Sequence, residues 1–164
     1  MTGAMCRWGF LSTAAIARKN WKAVHLSGNG RVSAVASRSV AKAQSFIDEC
    51  MAEVPQQQEV SAVGSYADLI ERDDVDAIYI PLPTGLRKEW VLAAAKAGKH
   101  VLVEKPMAAS LAQADAMMAA ARQNNVRLMV NWPFAWWPQL QYALNLADEG
   151  AIGDLWQVKY RAAH

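Results

Sequence analysis

Between Gly9 and Ala17 the chain reads GFLSTAAIA, a turn from an apolar run into a stretch of helix formers. A dinucleotide fingerprint, G-x-G-x-x-G or A, belongs in such a turn, because glycines let a pyrophosphate approach the backbone N–H groups at a helix mouth. Ser12, Ala14 and Ala17 occupy the glycine places here. Small side chains keep helix and strand close and leave the N–H groups available, although the Ala14 methyl stands where the pyrophosphate comes nearest. An ordinary strand–helix turn, small only for packing, is the competing reading of this segment. A second cluster, Ser37-Arg38-Ser39, follows a second apolar run, where NAD-selective sites carry an acidic residue for the ribose hydroxyls. A hydroxyl and a guanidinium suit a 2′-phosphate instead, which points to NADP, with NAD as the alternative. Taken singly, Arg38 also reads as an exposed loop arginine. His25, His100 and His164 with Cys6 and Cys50 have no metal-ligand spacing and form no disulfide framework, so no metal is expected.

These residues need a scaffold, and apolar periodicity supplies one. Short apolar runs at 8–11, 32–37, 60–63, 76–80, 100–103 and 128–130 read as strands. Helical stretches lie between them. Val40, Ala43, Phe46, Ile47, Cys50, Met51 and Val54 recur at steps of three and four behind a capping Ser39. Ser65 with Asp68, and Ser110 with Gln113, look like capping boxes for two further helices. Leu86, Trp90, Ala93, Ala94 and Ala97 form the expected buried stripe of another, which stops at Gly98. Strand alternating with helix, the strands almost wholly apolar, predicts an α/β fold with a doubly wound, Rossmann-like parallel sheet covered on both faces. In such sheets ligands bind beyond the carboxyl ends of the strands.

The texture changes beyond Asn131. Trp132, Trp136 and Trp137 precede a helix from about Pro138 to Glu149, and the aromatic cluster Phe134-Ala135-Trp136-Trp137 is expected to be core, with a cover over a nicotinamide pocket as the alternative. Asp154 to Arg161 alternates apolar and polar residues like a half-exposed antiparallel strand. The expected organisation is a dinucleotide-binding domain over 1–131 and, over 132–164, the opening of an incomplete second α/β domain. Addition of the last strand to the first sheet is the alternative.

Composition excludes several functions. Of 164 residues 53% are hydrophobic and 20% charged, which excludes a disordered chain. Lys and Arg number 17 against 15 Asp and Glu, a net +2 too balanced for a polyanion-binding surface. No apolar run reaches the roughly 18 residues of a membrane helix. Met1 to Phe10 lacks the pattern of a secretory leader, so a cytoplasmic protein is expected.

The stretches RWGFLSTAAIA (7–17), AVASRS (34–39), YIPLPTGLRKEW (79–90) and AGKHVLVEKP (97–106) resemble the Gfo/Idh/MocA oxidoreductase family. AIGD (151–154) resembles that family's entry into its second domain. The resemblance implies that Ser12, Thr13, Ala14, Ala15 and Ile16 cradle the pyrophosphate, and that Ser37 and Arg38 hold the adenosine ribose and its phosphate. It implies that Pro81, Leu82 and Pro83 line the dinucleotide, that Glu104 and Lys105 sit near the nicotinamide ribose, and that Lys105 is catalytic, reaching the substrate oxygen. Thr84 and Arg87 depart from the family pattern, standing where many relatives carry Asn and His. The implied function is hydride transfer between NADP and a sugar-like or cyclitol alcohol or carbonyl. Relatives of this kind are homo-oligomers and take their proton shuttle from the second domain. A nucleotide-binding module without turnover, or an NAD-dependent glycosidase-like relative, are the alternatives.

Overall fold

The computed structural model describes residues 5–157 and 159. In chain order the elements are β1 (Cys6–Leu11), α1 (Ala15–Leu26), β2 (Gly30–Ala36), α2 (Val40–Glu53), β3 (Ser61–Val63), α3 (Tyr66–Ile70), β4 (Ala77–Ile80), α4 (Thr84–Lys96), β5 (His100–Glu104), α5 (Leu111–Gln123) and β6 (Leu128–Asn131). A 3-10 turn (Pro133–Trp136) and α6 (Pro138–Asp148) follow. The strands form one sheet in the order β3-β2-β1-β4-β5-β6, and every neighbouring pair is parallel. The chain therefore builds outward from β1 in one direction and then, from β4, in the other. This is the Rossmann arrangement that the alternation predicts, with its crevice where β1 meets β4.

The sheet has two apolar faces. On one, Leu11, Ile78, Ile80, Val101 and Val103 pack with Leu69, Val91, Ala94 and Met117 from α3, α4 and α5. On the other, Phe10, Val32, Val35 and Tyr79 pack with Ala17, Trp21, Phe46, Ile47 and Cys50 from α1 and α2. Phe10 sits edge-on to Trp21 and to Tyr79 at centroid separations of 6.4 and 5.1 Å, geometries favourable for aromatic pairs. Gly9 permits the close approach of α3, since a Cβ there would stand 2.6 Å from Leu69 Cδ2 and 3.0 Å from Val75 Cγ1. The second face is thin over the later strands, where Leu102 is only half-buried and its partner in register, Met129, is exposed.

Capping agrees with the sequence at α2, α3 and α5, whose first-turn N–H groups are accepted by Ser39, Ser65 and Ser110. Three expectations need correcting, two about the elements and one about the aromatic cluster. In α4 the buried face is Arg87, Val91, Ala94 and Ala95, while Leu86 is exposed and Trp90, Ala93 and Ala97 are half-buried. The helix is turned by about one residue from the expected stripe, because Arg87 is drawn inward by carbonyl acceptors that hydropathy does not register. Residues 154–157 of the expected final strand adopt no strand conformation. Of the rest of that segment, residues 158, 160 and 161 lie outside the described residues.

The chain divides into two compact units at Asn131/Trp132. In the second unit the aromatic cluster is not core: Trp136 is 72% exposed, Trp132 and Trp137 are exposed, and Phe134 packs against Trp137 with ring centroids 4.4 Å apart. Trp132, Phe134, Trp137 and Leu140 line an apolar cavity of about 300 Å³.

Candidate functional site

The turn after β1 adopts the backbone a glycine would favour. Ser12 has φ +132°, a region that L side chains rarely occupy, and its Oγ accepts the Ala14 N–H at 3.1 Å. Ala14 is the N-terminal cap residue of α1 but offers no side-chain acceptor, so no side chain caps the α1 mouth, although the Ala17 N–H donates to Ala14 O at 2.8 Å. Ala17 is fully buried against the sheet, which explains the need for a small residue there. Ser12, Thr13 and Ala14 are half-buried, and Ala15 and Ile16 are exposed. Of α1 to α5, only α1 and α4 lack a side-chain cap, and both start beside the crevice between β1 and β4. Uncapped N–H groups and the positive end of a helix together attract an anion.

At the end of β2, Ser37 is buried and its N–H donates to Val63 O at 3.0 Å, whereas the Arg38 side chain is exposed. Both border a cavity of about 280 Å³ completed by Gly64, Ser65, Tyr66 and Trp90. The Tyr66 and Trp90 rings stand edge to face at 5.2 Å, a firm apolar wall beside the exposed Arg38 side chain. That combination fits a purine-sized group carrying a phosphate.

The ends of β4 and β5 complete the edge. Pro81 and Leu82 are buried and Pro83 is exposed. Glu104, the last residue of β5, is buried, and its Oε1 accepts the Tyr79 hydroxyl at 2.7 Å and the Asn131 amide at 2.6 Å. Asn20 of α1 donates to the Tyr79 oxygen at 2.7 Å and accepts from Asn131 at 3.3 Å, which closes a ring of hydrogen bonds across α1, β4, β5 and β6. Burial and the Glu104 hydrogen bond push the Tyr79 hydroxyl pKa up, so Tyr79 keeps its proton and donates it. Lys105 follows on the exposed side, joined to Pro106 by a cis peptide bond, and its ammonium engages no side chain among the described residues. Arg87 donates to the carbonyls of Leu82, Glu104 and Pro106. Burial lowers its pKa from the usual guanidinium value.

Tyr79, Asn20, Asn131 and Arg87 were not singled out as site residues from the sequence. The one signal was Arg87 itself, which departs from the family pattern by standing where many relatives carry His. Burial pushes the Cys50 thiol up to about 11 and raises that of Cys6, which disfavours the thiolate at both. Among the described residues no group of three or more His, Cys, Asp or Glu is placed to hold a metal, and no helix is long and apolar enough to cross a membrane.

An oxidoreductase family model with an NAD-binding Rossmann fold matches residues 6–132. The chain belongs to the Gfo/Idh/MocA oxidoreductase family. Among the relatives of this Gfo/Idh/MocA chain is a dTDP-3,4-didehydro-2,6-dideoxy-alpha-D-glucose 3-reductase from Actinomadura kijaniata, 39% identical over 150 residues, which are 91% of this chain and 43% of that protein. A D-xylose 1-dehydrogenase (NADP(+)) from Haloferax volcanii is 37% identical over 147 residues, 88% of this chain and 43% of the relative. In structure it is similar to a 3-ketoreductase from Actinomadura kijaniata in complex with TDP-benzene and NADP, with a TM-score of 0.79 and 37% identity over 92% of this chain and 45% of the other. The chain thus spans less than half the length of these relatives.

Proposed function

We propose that this chain is the cofactor-binding part of an NADP-dependent oxidoreductase that moves a hydride between the nicotinamide and a sugar-like or cyclitol alcohol or carbonyl. The observation that carries the reading is the α1 mouth, without a side-chain cap, behind Ser12, whose glycine-like backbone leaves room for a pyrophosphate. The names of the similar reductase, dehydrogenase and ketoreductase support both halves of it, since they include sugar substrates and NADP.

Bound NADP supplies the hydride acceptor or, when reduced, its donor. Ser12 to Ile16 hold the pyrophosphate through backbone N–H groups, and Arg38 with Ser37 pairs with the 2′-phosphate in the cavity backed by Tyr66 and Trp90. Pro81, Leu82 and Pro83 form the wall beyond β4. Glu104 has its Oε1 committed to Tyr79 and Asn131, so Oε2 is the atom left to meet the nicotinamide ribose. Lys105 directs its ammonium at the substrate oxygen and stabilises the charge that grows there as hydride leaves or arrives at the adjacent carbon. The hydroxyl proton passes to or from a group outside residues 1–131. On this reading residues 132–164 open the second domain.

Calorimetry tests it directly. Heat of binding is expected with NADP and NADPH, and less with NAD; no heat with any of the three overturns the proposal. A nucleotide-binding module without turnover is the second reading. Steady oxidation of a sugar or cyclitol by these 164 residues eliminates that second reading.

A further inference from the structure

Arg87 is 6% exposed, and its acceptors are carbonyls, with no carboxylate hydrogen-bonded to it. Its Nε donates to Leu82 O at 2.7 Å, and its Nη1 donates to Glu104 O at 2.6 Å and to Pro106 O. A guanidinium taken out of water is costly unless its donors find acceptors, and here Nε and Nη1 spend three N–H donors on the backbone of two loops. Leu82 lies in the loop that leaves β4, while Glu104 and Pro106 flank Lys105 on either side. One rigid side chain therefore spans both walls at this end of the edge. The Glu104 side chain is held independently by Tyr79 and Asn131, so the peptide just before Lys105 is restrained through its carbonyl and its carboxylate. An ammonium could not replace this fork, because a point donor on a flexible stem satisfies one loop at a time.

We propose that Arg87 is a positioning residue that ties the Pro81–Pro83 loop to the Glu104–Pro106 loop, and so sets the spacing in which the nicotinamide half of the dinucleotide and the Lys105 ammonium meet. This rests on the cofactor reading above and adds to it a residue whose Nε and Nη1 donors are turned onto protein carbonyls. The adenosine half is built on the loops after β2 and β3, Tyr66 of α3 and Trp90 of α4, and none of the residues that accept from Arg87 (82, 104 and 106) lines it.

The test separates the two halves. Adenosine 2′,5′-bisphosphate probes the Arg38 end alone, and NADPH probes both ends. Each is titrated calorimetrically into the unaltered chain, Arg87→Met and Arg87→Lys, with thermal melts followed by circular dichroism. Arg87→Met is expected to leave the bisphosphate affinity unchanged and to weaken NADPH by about tenfold, the size of a lost charge-assisted hydrogen bond. Arg87→Lys recovers part of that loss. Parallel losses on both probes, or unchanged NADPH binding, overturn the inference while the cofactor reading stands. Failure of the unaltered chain to bind either probe overturns the cofactor reading and this inference with it. If Arg87→Met does not fold, the ratio of the two affinities in Arg87→Lys decides, and a ratio equal to that of the unaltered chain counts against positioning.

Discussion

At the end of β1 the proposed site is made of backbone: Ser12 turns the chain at φ +132°, Ala14 leaves the helix mouth without a side-chain cap, and side chains matter mainly by being small. At the end of β5 the reverse holds. Glu104 and the peptide of Lys105 are fixed by Tyr79 from β4, Asn131 from β6 and Arg87 from α4, with Asn20 of α1 closing the network. A backbone-made site tolerates replacements that keep the turn, which is how Ser and Ala serve in glycine places. A site made of buried side chains tolerates few, because removing one donor leaves the remaining partner unsatisfied away from water. The phosphate end should therefore respond weakly to substitution at the turn, and the nicotinamide end sharply.

That contrast can be broken by mutation. The largest effect is expected for Lys105→Ala, which should reduce turnover roughly 10²–10³-fold in protein that oxidises or reduces substrate, as loss of a charge-stabilising group does. NADP affinity should be unchanged, and a matching loss of affinity in calorimetry would assign Lys105 to binding rather than chemistry. Next comes Arg38→Ala, expected to weaken NADP roughly 10- to 100-fold, as a charge-assisted contact predicts. NAD should be nearly unaffected, and equal losses for both would show that Arg38 does not read the 2′-phosphate.

The two remaining variants sharpen the comparison. Tyr79→Phe removes one hydroxyl between Asn20 and Glu104 and should cost about 1–2 kcal/mol in urea unfolding, since a buried donor and a buried acceptor lose their partner. A cost near zero would mean that water replaces the hydroxyl and that the ring of hydrogen bonds is not a structural unit. Ser12→Gly goes the other way. It releases the backbone strain at φ +132° and should stabilise the chain by about 1 kcal/mol, visible as a higher melting temperature. A lower melting temperature would show that the Ser12 Oγ bond to the Ala14 N–H outweighs the strain.

Much of the fold was legible because it depends on local signals. Apolar runs of strand length, serine caps at 39, 65 and 110, and the glycine after α4 each act within a few residues of themselves. The tight turn after β1 was legible for the same reason, as a local pattern of small residues between a strand and a helix. The α4 face was misjudged because Arg87 counts as polar in any hydropathy pattern, while its acceptors come from residues 82, 104 and 106. The aromatic cluster was misjudged from the opposite side. Tryptophans look like core by type, yet in this unit Trp136 has little around it to bury it.

By itself the sequence determined the alternation of strand and helix, hence the parallel sheet, and the small-residue turn at its first carboxyl end; periodicity, capping and steric size are properties of neighbouring residues. Only the tertiary structure decided that Asn20, Tyr79, Glu104 and Asn131 close one ring, and that Arg87 ties two loops together. Those contacts join residues as far apart as 20 and 131, brought within hydrogen-bond reach by the register of adjacent parallel strands and the crossover of α1 onto the sheet.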